Sequence, residues 1–216
     1  MARICIFAIH KPAFRSQYTI TGPSRDTTAT SEQIVAKLHT VLRNRPFLVV
    51  HDGPDTKCPV AAVSRLPSFS TYFEICLGDS AAKDVVWEKL HTTHPWGRKH
   101  TWGTMVPGEN RGSPRRLHLV WTRTRKVTVD GMARRPLSTR NWKLTEVPPS
   151  EDEDGRRIGS GTSWTTLVGT EPILAVFTSS TELGKCGNLQ VNVDHGRAFD
   201  LMLLTTCLSL YSAGLC

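Results

Sequence analysis

The sequence predicts a mainly β protein with α: an antiparallel β-barrel or rolled sheet of about 9–12 strands around a buried C-terminal helix. Three observations predict it. The stretch Ala198 to Tyr211, AFDLMLLTTCLSLY, is apolar on almost every side of a helical wheel and carries one charge, Asp200. A helix without a polar face has to be surrounded. Upstream, residues 69–77 and 188–194 alternate apolar and polar side chains, the period of half-buried strands. Between such runs, turn chemistry recurs often enough to give many short strands.

A bilayer is the other surrounding that such a helix could have, and crossing one takes about 20 apolar residues. From Leu201 to the end there are sixteen, broken by Thr205, Thr206, Ser209, Ser212 and Gly214. A sheath of the chain's own strands is therefore expected, and no transmembrane segment. At 216 residues the chain can build one sizeable core, and 1–216 reads as a single domain.

Taken in order, Ile4 to Ile9 is a short apolar run followed by His10-Lys11-Pro12 instead of a cleavage site, so secretion is not expected. Ser31 can cap an amphipathic helix near residues 31–43, with Ile34, Val35, Leu38, Val41 and Leu42 on one face and Pro46 beyond its end. Phe47 to Val50 reads as a strand, with Asp52-Gly53 as a turn before a return strand at Val60 to Val63. Phe69 to Leu77 is the clearest strand of the first half, and Val85 to Leu90 follows as a strand or helical turn. Strand resumes at Trp102 to Val106, at Leu117 to Trp121, at Val127 to Val129 and in NWKLTEV. Pro148 to Gly161, PPSEDEDGRRIGSG, is a polar, low-complexity segment expected to be a flexible insertion. Ile173 to Phe177 is apolar without alternation, as in a strand covered on both faces.

The net charge is +8, and its location matters more than its size. Residues 98–143 hold twelve Lys/Arg and two acids, a net +10, leaving −2 for the remainder. A concentrated basic region is the footprint of an anionic partner. By local charge, Arg115, Arg116, Arg123, Arg125 and Lys126 are the candidate anion ligands.

The segments RRLHLVWTRTR (115 to 125), NWKL (141 to 144), ILAVFT (173 to 178) and AFDLMLLTTCLSLY resemble the tubby C-terminal-like fold, shared with phospholipid scramblases and LURP-one-related proteins and met in filamentous-fungal proteins. The resemblance spans roughly Phe47 to Tyr211 and implies a twelve-stranded barrel enclosing the last helix. It also implies non-catalytic work, since tubby domains bind phosphoinositide headgroups through a basic pocket. No position of that pocket can be matched here.

Other constellations are weaker. His91, His94 and His100 have enough ligand atoms for a divalent ion, but Pro95 breaks the helix that an HxxH pair needs, so no metal is expected. The six cysteines never form a CxxC pair, and the absence of a disulfide pattern favours a reducing compartment. All six tryptophans fall between residues 87 and 164, more in keeping with packing than with base stacking. There is no GxSxG elbow, Walker loop or dinucleotide fingerprint, so no cofactor is expected. The expectation is a cytoplasmic, membrane-peripheral binding or adaptor protein whose partner is an anionic lipid or another protein. The alternatives are a small β-barrel enzyme or ligand-holding protein of a fungal metabolic pathway, and a nucleic-acid-binding protein.

Overall fold

The computed structural model describes residues 4–12, 15–23, 31–39, 46–93, 98–108, 113–132, 141–147 and 172–214. Twelve strands precede one helix: β1 (Cys5–His10), β2 (Gln17–Pro23), β3 (Ser31–Leu38), β4 (Leu48–His51), β5 (Val60–Arg65), β6 (Tyr72–Leu77), β7 (Glu88–Thr92), β8 (Lys99–Val106), β9 (Arg115–Arg123), β10 (Trp142–Glu146), β11 (Ile173–Ser179), β12 (Lys185–Val191) and α1 (Arg197–Ser212). Each strand pairs antiparallel with its sequence neighbours, and β1 pairs with β12 to close the barrel. Closure leaves no free sheet edge to be managed.

Alternation decides which face points inward. Phe7 and Ile9 on β1, Ile34 and Ala36 on β3, Phe73 and Ile75 on β6, Leu117, Leu119 and Trp121 on β9, and Leu189 and Val191 on β12 are buried in one core. These residues meet α1, which is buried from Phe199 through Leu210 without interruption. The expected sheathing of the C-terminal helix is thus what is observed, and no helix among the described residues is long and apolar enough to cross a membrane.

The helix carries hydroxyls, and the wall answers them. The Trp121 indole N–H donates to Thr206 Oγ1 at 3.0 Å, Ser209 Oγ donates to Ser64 Oγ at 2.8 Å, and the Tyr18 and Ser212 hydroxyls lie 2.8 Å apart. Thr205 and Thr206 also donate back to the Leu201 and Leu203 carbonyls. Buried polar groups satisfied this way fix the rotation of the helix, because turning it would orphan each donor. At its start, Gly196 takes the left-handed φ of 88° between β12 and the helix. Gly187 is needed for another reason: a Cβ there would sit 2.2 Å from the Thr178 carbonyl oxygen.

The segment read as an amphipathic helix near 31–43 is instead the strand β3 over Ser31–Leu38, and Thr40 to Arg45 lie outside the described residues. Ile34, Val35 and Leu38 satisfy either period. The choice falls to pairing, since β3 supplies ladder partners to β2 and β4 together, and a helix there would leave both edges open. Val127 to Val129 is not a strand either. Residues 127–132 form a strap over the outer face of β11 and β12, where the Val129 N–H donates to Thr178 Oγ1 at 2.9 Å and the Asp130 N–H to Gln190 Oε1 at 2.7 Å. The strap is why Ile173 to Phe177 lacks alternation: Val176 faces outward yet is 2% exposed. The expected insertion at 148–161 lies outside the described residues.

Candidate anion-binding rim

In an antiparallel meander, connections alternate between the two ends of the barrel. The links β1–β2, β3–β4, β5–β6, β7–β8, β9–β10 and β11–β12 share one rim, and the others share the opposite one. This rule sorts the charges.

The rim of the odd-to-even links receives Arg98 and Lys99 at the start of β8, Arg123 at the end of β9, Arg125 and Lys126 just beyond it, and Lys143 at the start of β10. The Arg123 N–H donates to the Arg98 carbonyl at 3.1 Å, tying the two strand ends together. On the outer face, Lys99 and Lys143 both pair with Thr122, one from each side. Two inter-strand spacings put their Cα atoms about 10 Å apart with a hydroxyl between them. Arg123 belongs to the inward row and lies over the Trp142 ring at 5.4 Å. Among the described residues, no carboxylate lies within ion-pair distance of Arg98, Lys99, Arg125, Lys126 or Lys143. Clustered like charges without counter-charges raise the local potential, and an anion relieves it.

Arg115 and Arg116 do not join this cluster. They begin β9, whose nine residues separate them from Arg123 by about 26 Å of extended chain. Each is already neutralised: Arg115 pairs with Glu146 at 3.1 Å, and Arg116 grips Glu88 with two hydrogen bonds of 3.0 and 2.6 Å. Their rim is the acidic one, with Glu32, Asp52, Asp55, Asp79, Asp84 and Asp194 in or beside its links. Arg197, at the mouth of the helix, is held there by Glu32 and Asp52. Burial works against the charge of Arg197, but the two carboxylates outweigh it and raise its pKa further. Beside this trio is a cavity of about 10 Å³, lined by residues including Phe7, Glu32, Arg197 and Asp200, with room for about one water.

The histidine constellation does not assemble. His91 is exposed on β7 with its ring 5.2 Å from Tyr72, whereas His100 is fully buried in the inward row of β8, 5.1 Å from the Trp142 ring. The two lie on opposite faces of the wall, and His94 is outside the described residues. No group of three or more metal-ligating side chains occurs among the described residues. Of the tryptophans, Trp102, Trp121 and Trp142 are core, Trp87 lies under the Arg65 guanidinium at 4.0 Å, and Trp96 and Trp164 are outside the described residues. Cys5, Cys76, Cys186 and Cys207 are buried and outside any disulfide, and burial pushes the Cys76 thiol up to about 11, which keeps it protonated and inert at neutral pH.

Of the five candidates named from the sequence, the structure brings Arg123, Arg125 and Lys126 to one rim and places Arg115 and Arg116 at the far end. It passed over Arg98, Lys99 and Lys143 as site residues. The signal that recovers them is strand register, which brings Lys99, Thr122 and Lys143, 23 and 44 positions from the first, into one row. No protein-family model, curated protein or solved structure matches the chain.

Proposed function

We propose that this protein is a non-catalytic binding module that engages an anionic partner, membrane phospholipid, through the basic rim formed by Arg98, Lys99, Arg123, Arg125, Lys126 and Lys143. The observation that carries the reading is the segregation of charge: among the described residues, Arg98, Lys99, Arg125, Lys126 and Lys143 gather on one rim with no carboxylate in ion-pair reach, while most of the acids in or beside the links lie on the other. Such a module works at the cytoplasmic face of a membrane, where anionic lipids attract basic surfaces by about 1 kcal/mol per Lys or Arg. The likeness to the tubby C-terminal-like fold supports the same reading, because a strand meander enclosing its last helix is what that likeness implies. A ligand-holding or catalytic barrel would keep an internal cavity for its substrate, and here the lumen is occupied by α1. Nucleic-acid binding is disfavoured by the burial of Trp102, Trp121 and Trp142, which are unavailable for stacking on bases.

Sedimentation with vesicles tests the proposal. Binding is expected to vesicles that mix phosphatidylcholine with phosphatidylserine, to be absent with phosphatidylcholine alone, and to weaken as salt shortens the screening length from about 10 Å at 0.1 M to about 3 Å at 1 M. Equal sedimentation with both vesicle types would refute it.

A further inference from the structure

Phe69 reads from sequence as the first inward residue of a strand, yet β6 begins three positions later, and Phe69 stands at the tip of the β5–β6 link. It is fully exposed, with a relative accessibility of 104%. The turn Pro67 to Ser70 is closed by the Ser70 N–H donating to the Pro67 carbonyl at 3.1 Å, and its third residue, Phe69, has φ 62°. That position normally goes to glycine or asparagine, since a bulky side chain there is strained. An apolar ring that is both fully wetted and conformationally strained gains nothing for the fold.

The β11–β12 link repeats the arrangement. Its turn, Glu182 to Lys185, is closed by the Lys185 N–H donating to the Glu182 carbonyl at 3.1 Å, with Gly184 at φ 79° in the third position. Leu183 occupies the corner and is 95% exposed. Both links are of the odd-to-even kind, so both tips project from the basic rim, and they lie on opposite sides of the ring of strands. The carboxylates at that rim nearest the two tips are paired, Glu74 with Arg65 at 2.6 Å and Glu182 with Lys185 at 3.7 Å.

We infer that Phe69 and Leu183 are apolar anchors that enter an anionic bilayer at the headgroup–acyl boundary, so that the barrel stands on its basic rim with its axis perpendicular to the membrane plane. The inference rests on the phospholipid reading above and adds a second, salt-resistant component to it. Cations alone are screened by salt, whereas burial of a phenyl and an isobutyl group is not. Two anchors on opposite sides of one rim also fix orientation, which a charged patch by itself does not. A nucleic-acid partner would use the cations and have no use for an isolated leucine at a turn corner.

The test compares wild type with Phe69→Gly and with Phe69→Gly/Leu183→Ser on phosphatidylcholine–phosphatidylserine vesicles. Glycine relieves the left-handed strain, so the thermal midpoint of Phe69→Gly stays level or rises. Its affinity at physiological salt falls about tenfold, and the double variant loses about a hundredfold along with the binding that survives high salt. Phe69→Trp retains wild-type affinity and gains emission that acyl-chain bromine quenches. If wild type binds these vesicles and both glycine variants bind equally well at every salt concentration, this inference falls and the electrostatic reading stands. If wild type does not bind them at all, both fall. Binding to a single-stranded oligonucleotide that exceeds vesicle binding and ignores Phe69→Gly would also overturn it.

Discussion

Removing residues 198–216 is expected to give an insoluble chain. Seven large apolar side chains of the helix, Phe199, Leu201, Met202, Leu203, Leu204, Leu208 and Leu210, are each 8% exposed or less. At about 1.5–3 kcal/mol per buried side chain, their loss removes about 10–20 kcal/mol, an upper estimate that spans the whole stability of an ordinary domain. The strands would also face an empty apolar lumen, with the Trp121 indole and Ser64 hydroxyl deprived of Thr206 and Ser209. A single truncation, Leu204→Ala, should cost about 2–5 kcal/mol by leaving a cavity at a fully buried site, read as a lower denaturant midpoint at unchanged slope. A truncated chain that stays soluble and unfolds cooperatively would mean that the tail is an appendage and not the core.

Neutralising four rim cations together, Arg98→Gln, Lys99→Gln, Arg125→Gln and Lys126→Gln, is expected to weaken binding to anionic vesicles by about a thousandfold, from about 1 kcal/mol per basic residue. All four side chains are exposed or half-buried, and none has a carboxylate partner among the described residues, so the fold should tolerate the change. The matching control is Arg115→Gln with Arg116→Gln, whose charges are spent on Glu146 and Glu88. That pair should leave affinity within about twofold, since an arginine already neutralised adds little field at a lipid surface. Loss of binding in the control equal to that in the quadruple variant would move the contact to the opposite rim.

What the sequence made legible follows from local patterns. The all-round apolarity of Phe199 to Leu210 has one physical meaning, enclosure, and the strands with clean alternation could be read one by one. β3 was not legible, because Ile34, Val35 and Leu38 fit a helical face as well as a strand, and the deciding term is the unpaired edges of β2 and β4. The strap at 127–132 looked like a strand because Val127 and Val129 alternate, but its backbone bonds to the outward side chains Thr178 and Gln190 and not to a neighbouring strand. The site was half legible. Charge density along the chain located the basic region, but adjacency along β9 is not adjacency in space, and Arg115 and Arg123 end on opposite rims. Phe69 was invisible as a surface residue because alternation places it in the core, and a positive φ in a turn leaves no mark in hydropathy.

Hydrogen exchange followed segment by segment, with and without phosphatidylcholine–phosphatidylserine vesicles, tests the central claim that a helix-filled barrel meets its partner through one rim. The account predicts that residues 197–212 exchange slowest in both conditions and that vesicles protect residues 66–72, 98–99, 124–126 and 180–185. Fast exchange across 197–212, or vesicle protection confined to residues 52–59 and 78–87 at the acidic rim, would contradict it.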